Sequence, residues 1–136
     1  MVTAVDTNIL LDIFLPDPDY AENSKEMLKI AYDEGALIIS DIVYAELVPQ
    51  FIIRKKLDET LHKINISVSS IDKNVAFLAG EKWMKYRKSG SSRIRIITDF
   101  LIGAHAILKA DRFITRDRGF YKSYFTELNI LIMHNR

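Results

Sequence analysis

Cysteine is absent from the 136-residue chain, which excludes both a disulfide framework and thiolate metal sites. Long apolar runs are missing as well, and no stretch approaches the roughly 18 apolar residues of a membrane-spanning helix. The opening residues, Val2-Thr3-Ala4-Val5-Asp6, lack the basic-then-apolar pattern of a secretory leader. A cytoplasmic location without a membrane partner is therefore expected. Histidine is scarce. His62, His105 and His134 are far apart in the sequence and show no paired ligand spacing, so His105 is expected to be a helix side chain making a local hydrogen bond. The serines stand without a matching base, which leaves no candidate for nucleophilic hydroxyl catalysis.

What is present suits a single domain over residues 1–136, long enough to bury one core. The composition is 49% hydrophobic and 27% charged, as in an ordinary globular protein. Net charge is only +1, yet residues 1–35 carry eight acids against two lysines, and residues 85–122 carry ten basic residues against three acids. A polyanion could use that second region, although from charge alone a solvated basic face is the favoured account. Two stretches read as flexible connections, Pro16-Asp17-Pro18-Asp19 and Ser89-Gly90-Ser91-Ser92. Neither marks a domain boundary.

Short aliphatic or β-branched runs at Val2 to Val5, Ala36 to Ser40, Ile64 to Ser69, Arg112 to Thr115 and Asn129 to Met133 read as buried parallel strands. Helical patterns separate them: Ala21 to Asp33, Asp41 to Lys56, Asp58 to Lys63, Asp72 to Arg87 and Thr98 to Lys109. Pro49 should kink or interrupt the second of these. Alternation of this kind predicts an α/β fold with a mainly parallel, five-stranded sheet covered by helices on both faces. Sites in such folds gather at the carboxyl ends of the strands.

Four acids sit where solubility does not explain them. Asp6 follows the first strand, Glu46 lies among Ile42, Val43 and Leu47, Asp99 opens an apolar helix, and Asp117 follows a late strand. A carboxylate against an apolar wall needs a partner, and a hard divalent cation would serve all four. Each also has a structural explanation. Asp6 or Thr7 could cap a short helix, Thr98 is a natural N-cap beside Asp99, and Asp117 could cap a helix or form an Asx turn. Glu46 is the acid most out of place, because its helical neighbours are apolar. Asn8 and Asp12 read as polar helix positions. Ile102, Gly103 and Ala106 share a side with Asp99 and leave room for a backbone or ligand. The Trp83, Tyr86, Arg87 and Lys88 stretch suits either RNA contact or ordinary aromatic packing on an amphipathic helix.

Val5-Asp6-Thr7-Asn8, Tyr44-Ala45-Glu46-Leu47, Thr98-Asp99 and Ile114-Thr115-Arg116-Asp117, in this order, resemble the PIN-domain nucleases, particularly the VapC-like toxins of toxin–antitoxin systems. The resemblance covers nearly the whole chain. It implies an α/β/α sandwich and a metal-dependent endoribonuclease holding Mg²⁺ or Mn²⁺ at Asp6, Glu46, Asp99 and Asp117. In this scheme Asp6 and Asp99 would be direct ligands, Glu46 a ligand or a supporting acid, and Asp117 a ligand to a second or water-linked ion. Thr115 would orient water or a carboxylate, and Asn8 would help hold the site. RNA as substrate, products with a 5′ phosphate and a 3′ hydroxyl, a cognate antitoxin and a homodimer are implied too. Phe14, Leu15, Met27, Leu28 and Tyr32 could supply part of the dimer surface, or could equally be core. A nuclease outside any toxin pair, a noncatalytic PIN-like interaction module and an aspartyl-phosphate enzyme using Asp6 remain the alternatives.

Overall fold

The computed structural model describes residues 1–90 and 95–132. Ser91, Ser92, Arg93, Met133 and His134, all part of the expectations above, lie outside the described residues. Elements follow in the order β1 (Val2–Val5), α1 (Thr7–Phe14), α2 (Ala21–Glu34), β2 (Ala36–Ser40), α3 (Asp41–Phe51), α4 (Arg54–Lys63), β3 (Ile66–Ser69), α5 (Lys73–Lys88), α6 (Ile97–Lys109), β4 (Arg112–Ile114) and α7 (Arg118–Tyr124). The four strands pair in the order β3-β2-β1-β4, and every pairing is parallel. Parallel strands are flanked by helices and lose both faces to the core, which is why their sequences are continuously apolar rather than alternating.

The strand order positions the site. The chain steps outward from β1 to β2 to β3, then returns to place β4 on the other side of β1. With right-handed crossovers, α1 to α4 and then α5 and α6 fall on opposite faces of the sheet. The order therefore reverses between β1 and β4, and their carboxyl ends form the crevice in which open α/β sheets bind ligands. Val5 is in register with Ile114, and the amide of Asp6 donates to the Ile114 carbonyl at 2.9 Å. The two strand ends are thus locked side by side.

The sheet has four strands among the described residues, against five expected. The segment from Asn129 does reach β4: the Phe113 amide donates to the Asn129 carbonyl and the Leu131 amide to that of Phe113. Only a single bridge, Phe113 to Ile130, forms. β4 is three residues long, too short to template a longer neighbour.

The helix expected over Asp41 to Lys56 divides after Phe51, and α4 begins at Arg54. Pro49 lies inside α3, where the missing amide removes one hydrogen bond of the last turn. Ile52 then adopts a positive φ of 61° that no continuous helix accommodates. At α6 the expected cap also changes. Ile96, not Thr98, is the cap position, and the Asp99 carboxylate reaches back to accept from the Ile96 amide at 3.4 Å. The core beneath is aromatic. Phe100, Phe113, Phe120, Tyr121 and Phe125 are all buried, and their ring contacts fall between 4.9 and 5.9 Å, each pair worth about 0.5 to 1.5 kcal/mol beyond area burial. The space at Gly103 goes to this cluster rather than to a ligand, since a Cβ there would stand 2.5 Å from the Phe125 ring. No described helix is long and apolar enough to cross a membrane.

Candidate functional site

Asp6 ends β1 and caps α1, so the cap explanation and the site explanation are both satisfied by one residue. Its Oδ1 accepts from the Thr7 amide at 2.8 Å. Its Oδ2 accepts from the Thr115 hydroxyl at 2.7 Å and from the Asn8 side-chain amide at 3.4 Å. Asp6 is buried, and every one of these donors is neutral. Burial therefore raises its pKa from 3.8 to about 6, against the Thr115 and Thr7 hydrogen bonds, with Glu46 and Asp99 adding repulsion.

Glu46 departs from expectation. Val43 and Leu47 are buried, but Glu46 and Gln50 are exposed, because the edge of α3 that turns toward the crevice is left open. The helical period identifies its apolar neighbours without telling which edge is covered. Glu46 nevertheless joins the site, its Oε1 accepting from the Thr7 hydroxyl at 2.7 Å. Asp99 is half-buried at the first turn of α6, and desolvation raises its pKa, with Arg95 opposing and Asp117 reinforcing the shift.

Asp117 is the acid with a cation of its own. It neither caps α7 through its side chain nor stands bare, because Arg95 Nη1 lies 2.6 Å from its Oδ2. The Arg95 guanidinium also stacks over Phe120 at 4.3 Å. Thr115 accepts from the Asp117 amide at 3.0 Å while donating to Asp6, so one hydroxyl ties two of the acids together. Asn8 has a similar double role, since its Oδ1 accepts from the Arg116 amide at 3.3 Å.

Two neighbours escaped the sequence reading. Tyr121 is buried under the acids, and burial together with Asp6, Asp99 and Asp117 raises its pKa well above 10.0. Its spacing of four from Asp117 was the available signal. Asp12, taken above for a polar helix position, is buried. It is held by the Ser24 hydroxyl at 2.8 Å and by two nitrogens of Arg116 at 2.8 and 2.9 Å. His105 is also corrected. It is buried without a hydrogen-bond partner for Nε2 among the described residues, and desolvation lowers its pKa. Of the residues offered for a dimer surface, Met27 and Leu28 belong to the core, whereas Leu15 and Tyr32 are exposed.

The donor set suits a hard divalent cation: carboxylate oxygens, with Asp6 buried among only neutral donors and repelled by Glu46 and Asp99. No three of the described Asp, Glu or His side chains yet form a group ready to hold a metal. Their oxygens instead face protein donors, namely Thr7, Thr115, the Ile96 amide and Arg95.

The family model for the PIN domain matches residues 3–125. No curated protein sequence matches the chain. Among solved structures, VapBC2 from Rickettsia felis bound to a DNA fragment from its promoter superposes with a TM-score of 0.72 at 23% identity, covering 96% of this chain and 98% of that one. VapBC-1 from nontypeable Haemophilus influenzae gives 0.73 at 20% identity over 96% and 97%. VapC20 of Mycobacterium tuberculosis, described as a sarcin-ricin loop cleaving toxin, gives 0.60 at 14% identity over 93% and 98%. At these identities the likeness establishes a shared fold.

Proposed function

The chain belongs to the PIN-domain family, and from that premise we propose that it is a divalent-metal-dependent endoribonuclease, the toxin of a toxin–antitoxin pair, acting in the cytoplasm. The observation that carries this reading is the burial of Asp6 at the switch point of the sheet, near enough to Glu46 and Asp99 to feel their charge and with no basic side chain among its hydrogen-bond partners. Mg²⁺ or Mn²⁺ fits that charge, with Asp6 and Asp99 as direct ligands, Glu46 beside them, and Asp117 serving a second or water-linked ion. When bound, such an ion neutralises a phosphodiester and makes a coordinated water more acidic.

The chain's own residues account for the remainder. The Thr115 and Asn8 donors fix the rotamer of Asp6, and the Thr7 hydroxyl aims Glu46 into the same crevice. The aromatic floor of Phe120 and Tyr121 keeps water from beneath the acids, which strengthens electrostatic interactions above it. One solved relative described as a toxin–antitoxin complex from Klebsiella pneumoniae, and one as a toxin cleaving the sarcin-ricin loop, support an antitoxin partner and an RNA substrate. A homodimer through the exposed Leu15 and Tyr32 belongs to the same reading.

The test uses purified chain, free of any inhibitor, with structured RNA and Mg²⁺ or Mn²⁺. Asp6→Asn and Asp99→Asn should each slow cleavage by at least about 100-fold, the upper range for losing even a residue that merely supports a metal site. Cleavage that survives chelation, or variants as fast as the parent, would sink the mechanism. A noncatalytic module would instead bind RNA and cut none with any metal.

A further inference from the structure

Trp83 is the only tryptophan of the chain, and the acid site gives it no task. It lies half-buried near the C-terminus of α5, with the Arg87 guanidinium 5.0 Å over its ring. Packing of aromatics, the simple explanation for this stretch, holds for Tyr86. That side chain is buried, with its ring 5.4 Å from Phe100 and 5.2 Å from Tyr124. Trp83 and Arg87 lie on a different edge of the helix. Together with Met84 and Lys88 they line a cleft of about 510 Å³. Lys85, Arg87 and Lys88 are exposed, and none has an acidic partner among the described residues.

The position of this cleft ties it to the acids. α5 and α6 run antiparallel, since Lys109 near the end of α6 pairs with Asp72 at the start of α5 while Tyr86 packs on Phe100. Phe100 directly follows Asp99. The basic, aromatic end of α5 therefore adjoins the helix turn that brings Asp99 into the crevice. An indole face with cations around it fits a nucleobase with its phosphates, because every base has a π-face and stacking tolerates any sequence. Guanidinium stacked on indole presents a flat, charged shelf that a lysine alone would not.

We propose that the C-terminal end of α5 is a subsite for single-stranded RNA flanking the scissile phosphate. Trp83 stacks one unpaired base, and Arg87 and Lys88 contact the adjoining phosphates. This rests on the ribonuclease reading and adds to it the residues that hold the strand beside the cut.

The single tryptophan makes the test direct. Asp6→Asn protein in Mg²⁺, unable to cut, is titrated with a short single-stranded RNA and with a duplex of the same length while indole fluorescence is followed. The single strand should quench Trp83, and the duplex should not. Anisotropy of labelled RNA gives the affinities: Trp83→Ala weakens single-strand binding about tenfold, Trp83→Phe much less, and Arg87→Gln lowers the salt slope by about one. Thermal melting and circular dichroism establish that each variant is folded. In cleavage by the otherwise native chain, Trp83→Ala raises KM and leaves kcat in place. Cleavage with no quench and an unchanged KM would overturn the subsite while leaving the nuclease intact. Quenching and tenfold weakening without cleavage under any metal would retain the subsite and remove the nuclease. Quenching by poly-glutamate but not by RNA would assign the cleft to an acidic protein partner and reject the proposal.

Discussion

Asp6 and Asp12 are both buried, both belong to the opening of the chain, and both lie at α1, yet they are treated in opposite ways. Asp12 receives a bidentate guanidinium from Arg116 and a hydroxyl from Ser24. Asp6 receives an amide, a hydroxyl and a distant carboxamide, and its nearest charges are other acids. A buried charge that is paired and hydrogen-bonded is a closed structural unit. One left with neutral donors among like charges keeps a raised pKa, and perturbed groups of this kind gather at functional sites.

The largest consequence is in stability. With its pKa raised from 3.8 to about 6, Asp6 favours the fold in its protonated form. That contribution is complete below pH 3.8, and it is lost as pH rises through about 6, at a cost of up to about 3 kcal/mol. Asp6→Asn keeps a capping side chain and removes the charge, so the metal-free variant should melt several degrees higher than the parent at pH 7 and little differently at pH 4. Mg²⁺ or Mn²⁺ should raise the parent's melting temperature and leave the variant's unchanged. Equal melting at pH 7 would break the contrast between the two aspartates.

The opposite sign is expected on the other side of the comparison. Arg116→Met leaves Asp12 buried without its cation and should destabilise by about 2 to 3 kcal/mol, less than a wholly buried pair because Arg116 is partly open to water. Adding Asp12→Leu should recover most of that loss, as chemical denaturation would report. A smaller effect separates Asp117 from the other acids. Arg95→Gln removes the guanidinium at 2.6 Å, and Mn²⁺ affinity measured by calorimetry should rise a few-fold, the scale of a partly exposed ion pair. Unchanged affinity would mean that Asp117 stands apart from the metal.

Much of this was legible in the chain. Val2 to Val5 followed by Asp6, and Phe113-Ile114 followed by Thr115 and Asp117, mark strand ends by a local change from apolar to polar, and strand ends are where such folds bind. The exposure of Glu46 was not legible, since periodicity relates it to Val43 and Leu47 without saying where the neighbouring layer stops. Nor was the end of α3 at Phe51, which needs the positive φ at Ile52 as well as Pro49. The use of Gly103 depends on Phe125, far along the chain.

The sequence by itself determined the alternation of strands and helices, the parallel sheet, and the four acids, three of them at element ends and Glu46 within a helix, because each of these follows from local periodicity and chain order. Only the tertiary structure decided which acids are neutralised. Arg116 reaches Asp12 across 104 positions, Thr115 reaches Asp6 across 109, and Arg95 reaches Asp117 across 22. A carboxylate's state is set by burial and by the charges within a few ångströms, and those neighbours are assembled by the fold rather than by adjacency in the chain.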